Sequence, residues 1–165
     1  MARAVRTYLQ MLAPEDLDGA TAPGPDASVK RVDGCEPAFW RHLYTEVGGP
    51  YHWVDRLAWT DDEIAAYLAD PGLELWVLRS GGEVAGYFEL RRDGEGAVEI
   101  AYFGLLPAFV GCGLGKFLLT RAVERAWALG AVRVWLHTSS LDHPSALPNY
   151  LARGFSVWKQ ETYDV

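Results

Sequence analysis

Apolar and polar positions change period several times along the chain, and each change marks an element. In residues 4–12, Val5, Thr7, Leu9 and Met11 alternate with Arg6, Tyr8 and Gln10, the two-residue period of a half-buried strand. Residues 13–34 carry Pro14, Gly19, Pro23, Gly24 and Pro25 among small and acidic residues and read as a loop, with a short extended piece at 29–32. Over residues 36–47, Phe39, Trp40, Leu43, Tyr44 and Val47 share one helical face until Gly48-Gly49-Pro50 ends the pattern. A second helix opens at Thr60, which with Glu63 makes a capping box; Ile64, Tyr67 and Leu68 form its stripe and Asp70-Pro71-Gly72 stops it.

Three strand patterns follow closely, at residues 75–79, 84–91 and 98–105. Gly81-Gly82 and Asp93-Gly94-Glu95-Gly96 join them, and turns of that chemistry predict an antiparallel meander. Residues 114–129 are the clearest helix, with Leu119, Ala122, Val123, Ala126 and Trp127 on one face, Lys116, Thr120, Arg121, Glu124 and Arg125 elsewhere, and Gly130 as its stop. Residues 132–137 read as a strand, so the strand at 98–105, this helix and the new strand make a parallel, right-handed βαβ crossover. A short helix at 146–153, ended by Gly154, and a strand at 155–163 complete the pattern. The expected fold is α+β, a single domain over residues 1–165, in which meander and crossover share one mixed sheet flanked by helices.

Half the residues are hydrophobic and 13% are aromatic, enough for one well-filled core. With 22 acidic residues against 15 basic and a formal net charge of −7, the chain suits no nucleic-acid backbone and favours a cationic or amine-bearing partner. Cys35 and Cys112 stand far apart, without disulfide or metal-ligand spacing, which points to the reducing cytoplasm. No apolar run nears the roughly 20 residues of a membrane span, and the N-terminus lacks a signal-peptide segment, so a soluble protein without a membrane partner is expected.

Between the strand at 98–105 and the long helix lies Leu105-Leu106-Pro107-Ala108-Phe109-Val110-Gly111-Cys112-Gly113-Leu114-Gly115-Lys116. Its glycines leave backbone N–H groups uncovered where a helix begins, and those groups, with the helix dipole, favour an anion such as a diphosphate. The dinucleotide fingerprint needs Gly or Ala at Lys116, and the P-loop needs Ser or Thr at Phe117, so both are excluded. A glycine-rich connection with no ligand remains the other reading. The aromatic stretch 51–59, with Tyr51, Trp53 and Trp59, likewise either walls a substrate pocket or roofs the core.

Together, Leu105-x-Pro107, Val110-Gly111-Cys112-Gly113-Leu114-Gly115 and the helix after them resemble the acetyl-CoA motif of the GNAT N-acetyltransferase superfamily, Gln/Arg-x-x-Gly-x-Gly/Ala. Gly113 and Gly115 match, whereas Val110 replaces the usual Gln or Arg and Cys112 a commonly basic or polar residue. Downstream, Trp135-Leu136-His137-Thr138 and the run from Ala146 to Phe155 also resemble the family, ending in its Tyr-x-x-x-Gly-Phe pattern, with His143 where many members have Asn.

The resemblance implies an acyl-CoA-dependent N-acetyltransferase that moves acetyl from acetyl-CoA to a primary amine by direct attack in a ternary complex. Acetyl-CoA would lie where the two parallel strands splay. Its implied contacts are Leu105, Leu106, Val110, Gly111, Cys112, Gly113, Leu114, Gly115, Lys116 and Asn149, with amides near Leu105 and Leu106 facing the thioester. Lys116 either adds charge to the phosphate site or is a solvated first-turn lysine.

An alkylammonium with a pKa near 10.4 gives up its proton at pH 7 only at a cost of roughly 4–5 kcal/mol, so a base or water chain must help. Glu99, eleven residues before Val110, stands at a spacing where some GNAT members resemble it with a catalytic Glu, and desolvation between Val98 and Ile100 would make it more basic. Its other reading is an ordinary Glu in a cross-strand pair. Tyr150 occupies the family's general-acid position, able to protonate the departing thiolate, or else it packs the short helix onto the sheet. Tyr51, Trp53, Trp59, Tyr87 and Glu89 are the candidates for the acceptor pocket of a small-molecule or peptide amine.

Cys112 has no neighbouring His to activate it and reads as passive. His137, Asp142 and His143 lack a convincing third-ligand arrangement, so no metal is expected. The absence of Gln or Arg at Val110 keeps a second class open, a catalytically silent acyl-CoA-binding sensor. Little sequence follows Phe155 to form the closing hairpin common in the family, so a partner subunit in a homodimer is expected to cover that sheet edge.

Overall fold

The helix that follows the glycine turn buries Leu118, Leu119, Ala122, Val123 and Ala126 completely against one face of a seven-stranded sheet, as their helical spacing requires. A computed structural model describes residues 2–165. In chain order the elements are β1 (Arg3–Met11), β2 (Ala27–Arg31), α1 (Pro37–Gly48), α2 (Asp61–Leu68), β3 (Leu73–Ser80), β4 (Glu83–Arg92), β5 (Ala97–Leu105), α3 (Leu114–Ala128), β6 (Arg133–Ser139), α4 (Ala146–Ala152) and β7 (Ser156–Asp164). No helix among the described residues is long and apolar enough to cross a membrane.

The sheet runs β2-β3-β4-β5-β6-β1-β7. Its β2–β5 part is the antiparallel meander, and β5 to β6 is the parallel crossover through α3. The main core lies between α3 and the sheet, where Phe88, Leu90, Val98, Ile100, Val134 and Leu136 face the helix. On the opposite face α1 buries Trp40, Leu43, Tyr44 and Val47, and α2 buries Ile64. The capping box holds α2 as expected: the Glu63 N–H donates to Thr60 Oγ1 (3.2 Å) and the Thr60 N–H to Glu63 Oε1 (3.0 Å).

One expectation changes. The loop at 13–34 contributes a full edge strand, β2, registered on β3 from Ala27↔Ser80 to Arg31↔Trp76. The chain's own first strand covers β6, which leaves β7 as the outer strand on that side of the sheet. β1 lies antiparallel to β6 from Arg6↔Ser139 to Met11↔Val134 and carries β7 on its other side. The alternation of β1 explains the fit, because Thr7, Leu9 and Met11 are buried while Arg6, Tyr8 and Gln10 are half exposed.

Candidate active site

β5 and β6 pair over Ala97↔Arg133, Val98↔Val134 and Glu99↔Trp135 only, and then part. A cavity of about 680 Å³ occupies the gap. A β-bulge shapes its floor: Leu90 pairs with Ile100 but Glu89 pairs with Tyr102, leaving Ala101 as the extra residue. Glu89 and Arg91 lie two apart on β4 and share a face, so their partners Tyr102 and Glu99 share it too. Strict alternation along β5 would have sent Glu99 and Tyr102 to opposite faces.

On the α3 side, Val110, Gly111, Gly115, Lys116, Asn149 and Tyr150 line the cavity. Gly113 is the residue before α3 and adopts φ +78°, a left-handed conformation that glycine tolerates, with no side chain capping the helix. The N–H groups of Gly111, Cys112 and Gly113 donate to no backbone carbonyl among the described residues. Unpaired donors at the positive end of a 15-residue helix make a cradle for an anion, and Lys116 adds a cation beside it. At Gly115, the second residue of α3, a Cβ would meet Leu105 Cδ1 at 3.7 Å and Asn149 Nδ2 at 3.9 Å, ordinary contact distances. The turn therefore fits a diphosphate through backbone groups.

On the α1 side, Tyr44, Tyr51, Trp53 and Tyr102 form an aromatic wall. Trp53 packs edge-on against Tyr102 (5.0 Å between centroids) and donates its indole N–H to Asp142 Oδ1 (3.4 Å), joining the 51–59 stretch to the loop after β6. Asp142 also accepts from Thr138 Oγ1 (2.6 Å) and the Ser139 N–H (2.8 Å), and Tyr51 packs edge-on against His143. Glu99 faces the cavity. Burial pushes its carboxyl above the ordinary range, opposed by the charges of Arg91 and Arg56. Tyr150 is nearly buried, packed between Phe103 and Phe155, and burial keeps its phenol protonated well beyond neutral pH. Burial, and then Arg6, pushes the His137 imidazole below its ordinary range.

Tyr51, Trp53, Glu99, Leu105, Val110, Gly111, Gly115, Lys116, Asn149 and Tyr150 thus meet on one cavity. Others move. Trp59, Tyr87 and Glu89, read as pocket residues, lie behind its wall. Tyr87 is fully buried with its hydroxyl unpartnered, and Trp59 stacks on Trp40 at 5.8 Å. Glu89 is fully buried and accepts from Trp40 Nε1 (2.8 Å), the Tyr67 hydroxyl and Arg56 NH1 (3.4 Å). The bulge and the packing of α1 and α2 over β4 bury this side chain; burial pushes its carboxyl above the ordinary range, opposed by the Arg56 charge and the hydrogen bonds from Tyr67 and Trp40. Cys112 is exposed and Leu114 is core, so neither side chain faces the cavity. The Leu106 N–H, expected to face a thioester, already donates to the Ala85 carbonyl (2.8 Å).

Sequence reasoning missed Arg6, Arg56 and Arg91 on the cavity wall. Arg56 is 8% exposed and its guanidinium carbon lies 4.3 Å from the ring centres of both Tyr67 and Tyr102 and 4.8 Å from that of Trp59. Nothing in the local pattern of 51–59 marks it, because apart from Trp59 its partners come from α1, α2, β4 and β5. Among the described residues, no three His, Cys, Asp or Glu side chains gather as a metal site.

The acetyltransferase (GNAT) family model matches residues 38–155. The chain belongs to this family. An uncharacterized N-acetyltransferase of Mycobacterium bovis is 31% identical over 99 residues, a match covering 60% of this chain and 63% of that protein. Among solved structures, a GCN5-related N-acetyltransferase from Kribbella flavida shares the fold at TM-score 0.68 and 17% identity, covering 98% of this chain and 56% of the other. One from Sphaerobacter thermophilus does so at TM-score 0.70 and 16% identity, covering 97% and 50%. The two solved structures are longer chains, of which this one spans about half, and the match to the mycobacterial relative covers less than two thirds of that protein.

Proposed function

We propose that the chain transfers an acetyl group from acetyl-CoA to a primary amine bound in the same cavity. One observation carries the reading: a single cavity runs from the uncapped start of α3, through the gap between β5 and β6, to the half-buried carboxylate of Glu99. Acetyl-CoA supplies the acyl group as a thioester; the amine nitrogen bonds to its carbonyl carbon, the carbon–sulfur bond breaks and CoA leaves as the thiol.

The chain's residues divide that work. The N–H groups of the 111–113 turn and the Lys116 ammonium hold the pyrophosphate, so the missing Gln or Arg at Val110 costs side-chain contacts and spares the cradle. Glu99 takes the proton that the ammonium must lose. Its raised pKa brings it closer to neutral, where a general base works best. Tyr150, protonated, returns a proton to the leaving sulfur. The aromatic wall of Tyr44, Trp53 and Tyr102 excludes water from the reacting centre.

Free-thiol release from acetyl-CoA against a panel of primary amines tests this, with thermal shift run in parallel. Turnover on at least one amine is expected. Strong stabilisation by acetyl-CoA without turnover on any amine identifies the silent acyl-CoA sensor, a reading that Val110 at the motif's first position favours. No stabilisation by any CoA ester sinks both.

A further inference from the structure

The charges on the acceptor side of the cavity are mixed, three arginines with the three carboxylates of Asp55, Glu99 and Asp142, where the chain as a whole is acidic. Arg6, Arg56 and Arg91 line the cavity, although acidic residues outnumber basic ones 22 to 15 overall. Two of them are matched by carboxylates outside the cavity lining, Arg56 by Glu89 (3.4 Å) and Arg6 by Glu161 (3.1 Å). Arg91 makes none of the ion pairs among the described residues. It is the cross-strand partner of Glu99, so the two side chains leave the sheet from one face, side by side.

The carboxylates on the wall divide in the same way. Asp142 already accepts from Trp53, Thr138 and Ser139, while Glu99 and Asp55 have no partner among these hydrogen bonds and ion pairs. The wall thus keeps one guanidinium and two carboxylates in reserve, beside the rings of Tyr44, Trp53 and Tyr102.

We propose that the acceptor is a zwitterionic amine, a free amino acid with an apolar or aromatic side chain, whose amine meets Glu99 and whose carboxylate meets Arg91. The proposal rests on the acyl-transfer reading and names its acceptor. A polycation such as a polyamine would meet Glu99 and Asp55 but would leave the Arg91 guanidinium facing like charge. A bare monoamine would leave the exposed Arg91 guanidinium without a partner and gain nothing from it. A zwitterion meets both signs, and its side chain gains the aromatic wall.

The test uses amino acids paired with the amine lacking only the carboxylate, phenylalanine with phenethylamine, tryptophan with tryptamine, leucine with isoamylamine and lysine with cadaverine. Phenylalaninamide and spermidine complete the panel. The preferred acid should exceed its amine in kcat/KM by roughly ten- to a hundredfold, the range for a charge-assisted hydrogen bond. An α-amine is also less basic than an alkylamine, so the deciding number is the change in that ratio in Arg91→Ala. The ratio should collapse toward that set by basicity alone and recover in part in Arg91→Lys, while Glu99 serves both members of each pair.

An acid-to-amine ratio unmoved by Arg91→Ala, phenylalaninamide equal to phenylalanine, or spermidine as the best acceptor would each overturn the proposal. Calorimetric titration of the same compounds into CoA-saturated protein separates the two readings. Binding of the acids over the amines, lost in Arg91→Ala, with no turnover would refute acyl transfer and keep the zwitterion site. Neither binding nor turnover of any acid would overturn the site as well.

Discussion

Glu89→Gln tests the buried ion pair behind the acceptor wall. The carboxylate is fully buried and lies 3.4 Å from a guanidinium that is itself 8% exposed. At that separation and an effective dielectric near 20, the attraction is about 5 kcal/mol. Glutamine keeps the shape and one acceptor for Trp40 Nε1 or the Tyr67 hydroxyl, but it leaves Arg56 charged among rings that return only about 0.5–2 kcal/mol each. Removing one partner of a buried pair costs about 3–5 kcal/mol, a large share of an ordinary domain's stability.

Urea unfolding at pH 7, followed by tryptophan fluorescence, reads the change directly, because the Trp40 and Trp59 indoles stack beside this pair at 5.8 Å. The midpoint should fall with the slope unchanged. Removing the orphaned cation as well, in Glu89→Gln/Arg56→Met, should recover much of the loss and give a coupling energy of at least about 2 kcal/mol. A single-variant loss under about 1 kcal/mol, or a double variant that is simply additive, would show that Glu89 is not the counter-charge holding the 51–59 stretch down.

Three further outcomes are expected. Glu99→Gln should lower kcat roughly 10²–10⁴-fold. In the unsubstituted chain, activity should fall on acidification through a pKa above the ordinary carboxylate value, because burial favours the protonated, inactive form; the variant should lose that limb of the pH–rate profile, and a retained limb would move the base elsewhere. Tyr150→Phe should lower kcat with little change in KM for the amine, and an unchanged kcat would leave Tyr150 a packing residue between Phe103 and Phe155. Gly154→Ala should cost about 2–4 kcal/mol, since φ is +111° and the new Cβ would collide with the Asp16 carbonyl; a thermal midpoint unchanged by calorimetry would refute that account.

Much of the fold is written in local pattern. The period-two runs of β3, β4 and β5, the glycines between them, the Thr60–Glu63 box and the apolar stripe of α3 are short-range signals, each decided by residues within about one turn or one hairpin. The glycine turn is legible for the same reason: an uncapped helix start with unpaired N–H groups needs only its own glycines. Tyr150 and Glu99 could be named from spacing along motifs that keep their order in sequence.

What tertiary structure alone decided has long-range causes. The insertion of β1 between β6 and β7 joins residues more than 120 apart, and no period within residues 4–12 names the strand they will pair with. The bulge at Ala101 shifts the register by one residue, which puts Tyr102 and Glu99 on one face, with Arg91 opposite Glu99 and Glu89 opposite Tyr102. Helix packing then sorts two similar glutamates: α1 and α2 bury Glu89 against Arg56, Tyr67 and Trp40, while the parting of β5 from β6 leaves Glu99 open to the cavity. Composition pointed to a cationic partner because it sums charge over the whole surface. The wall of one cavity depends on which few charges the fold turns inward, and there strand register and helix packing set three arginines beside three carboxylates.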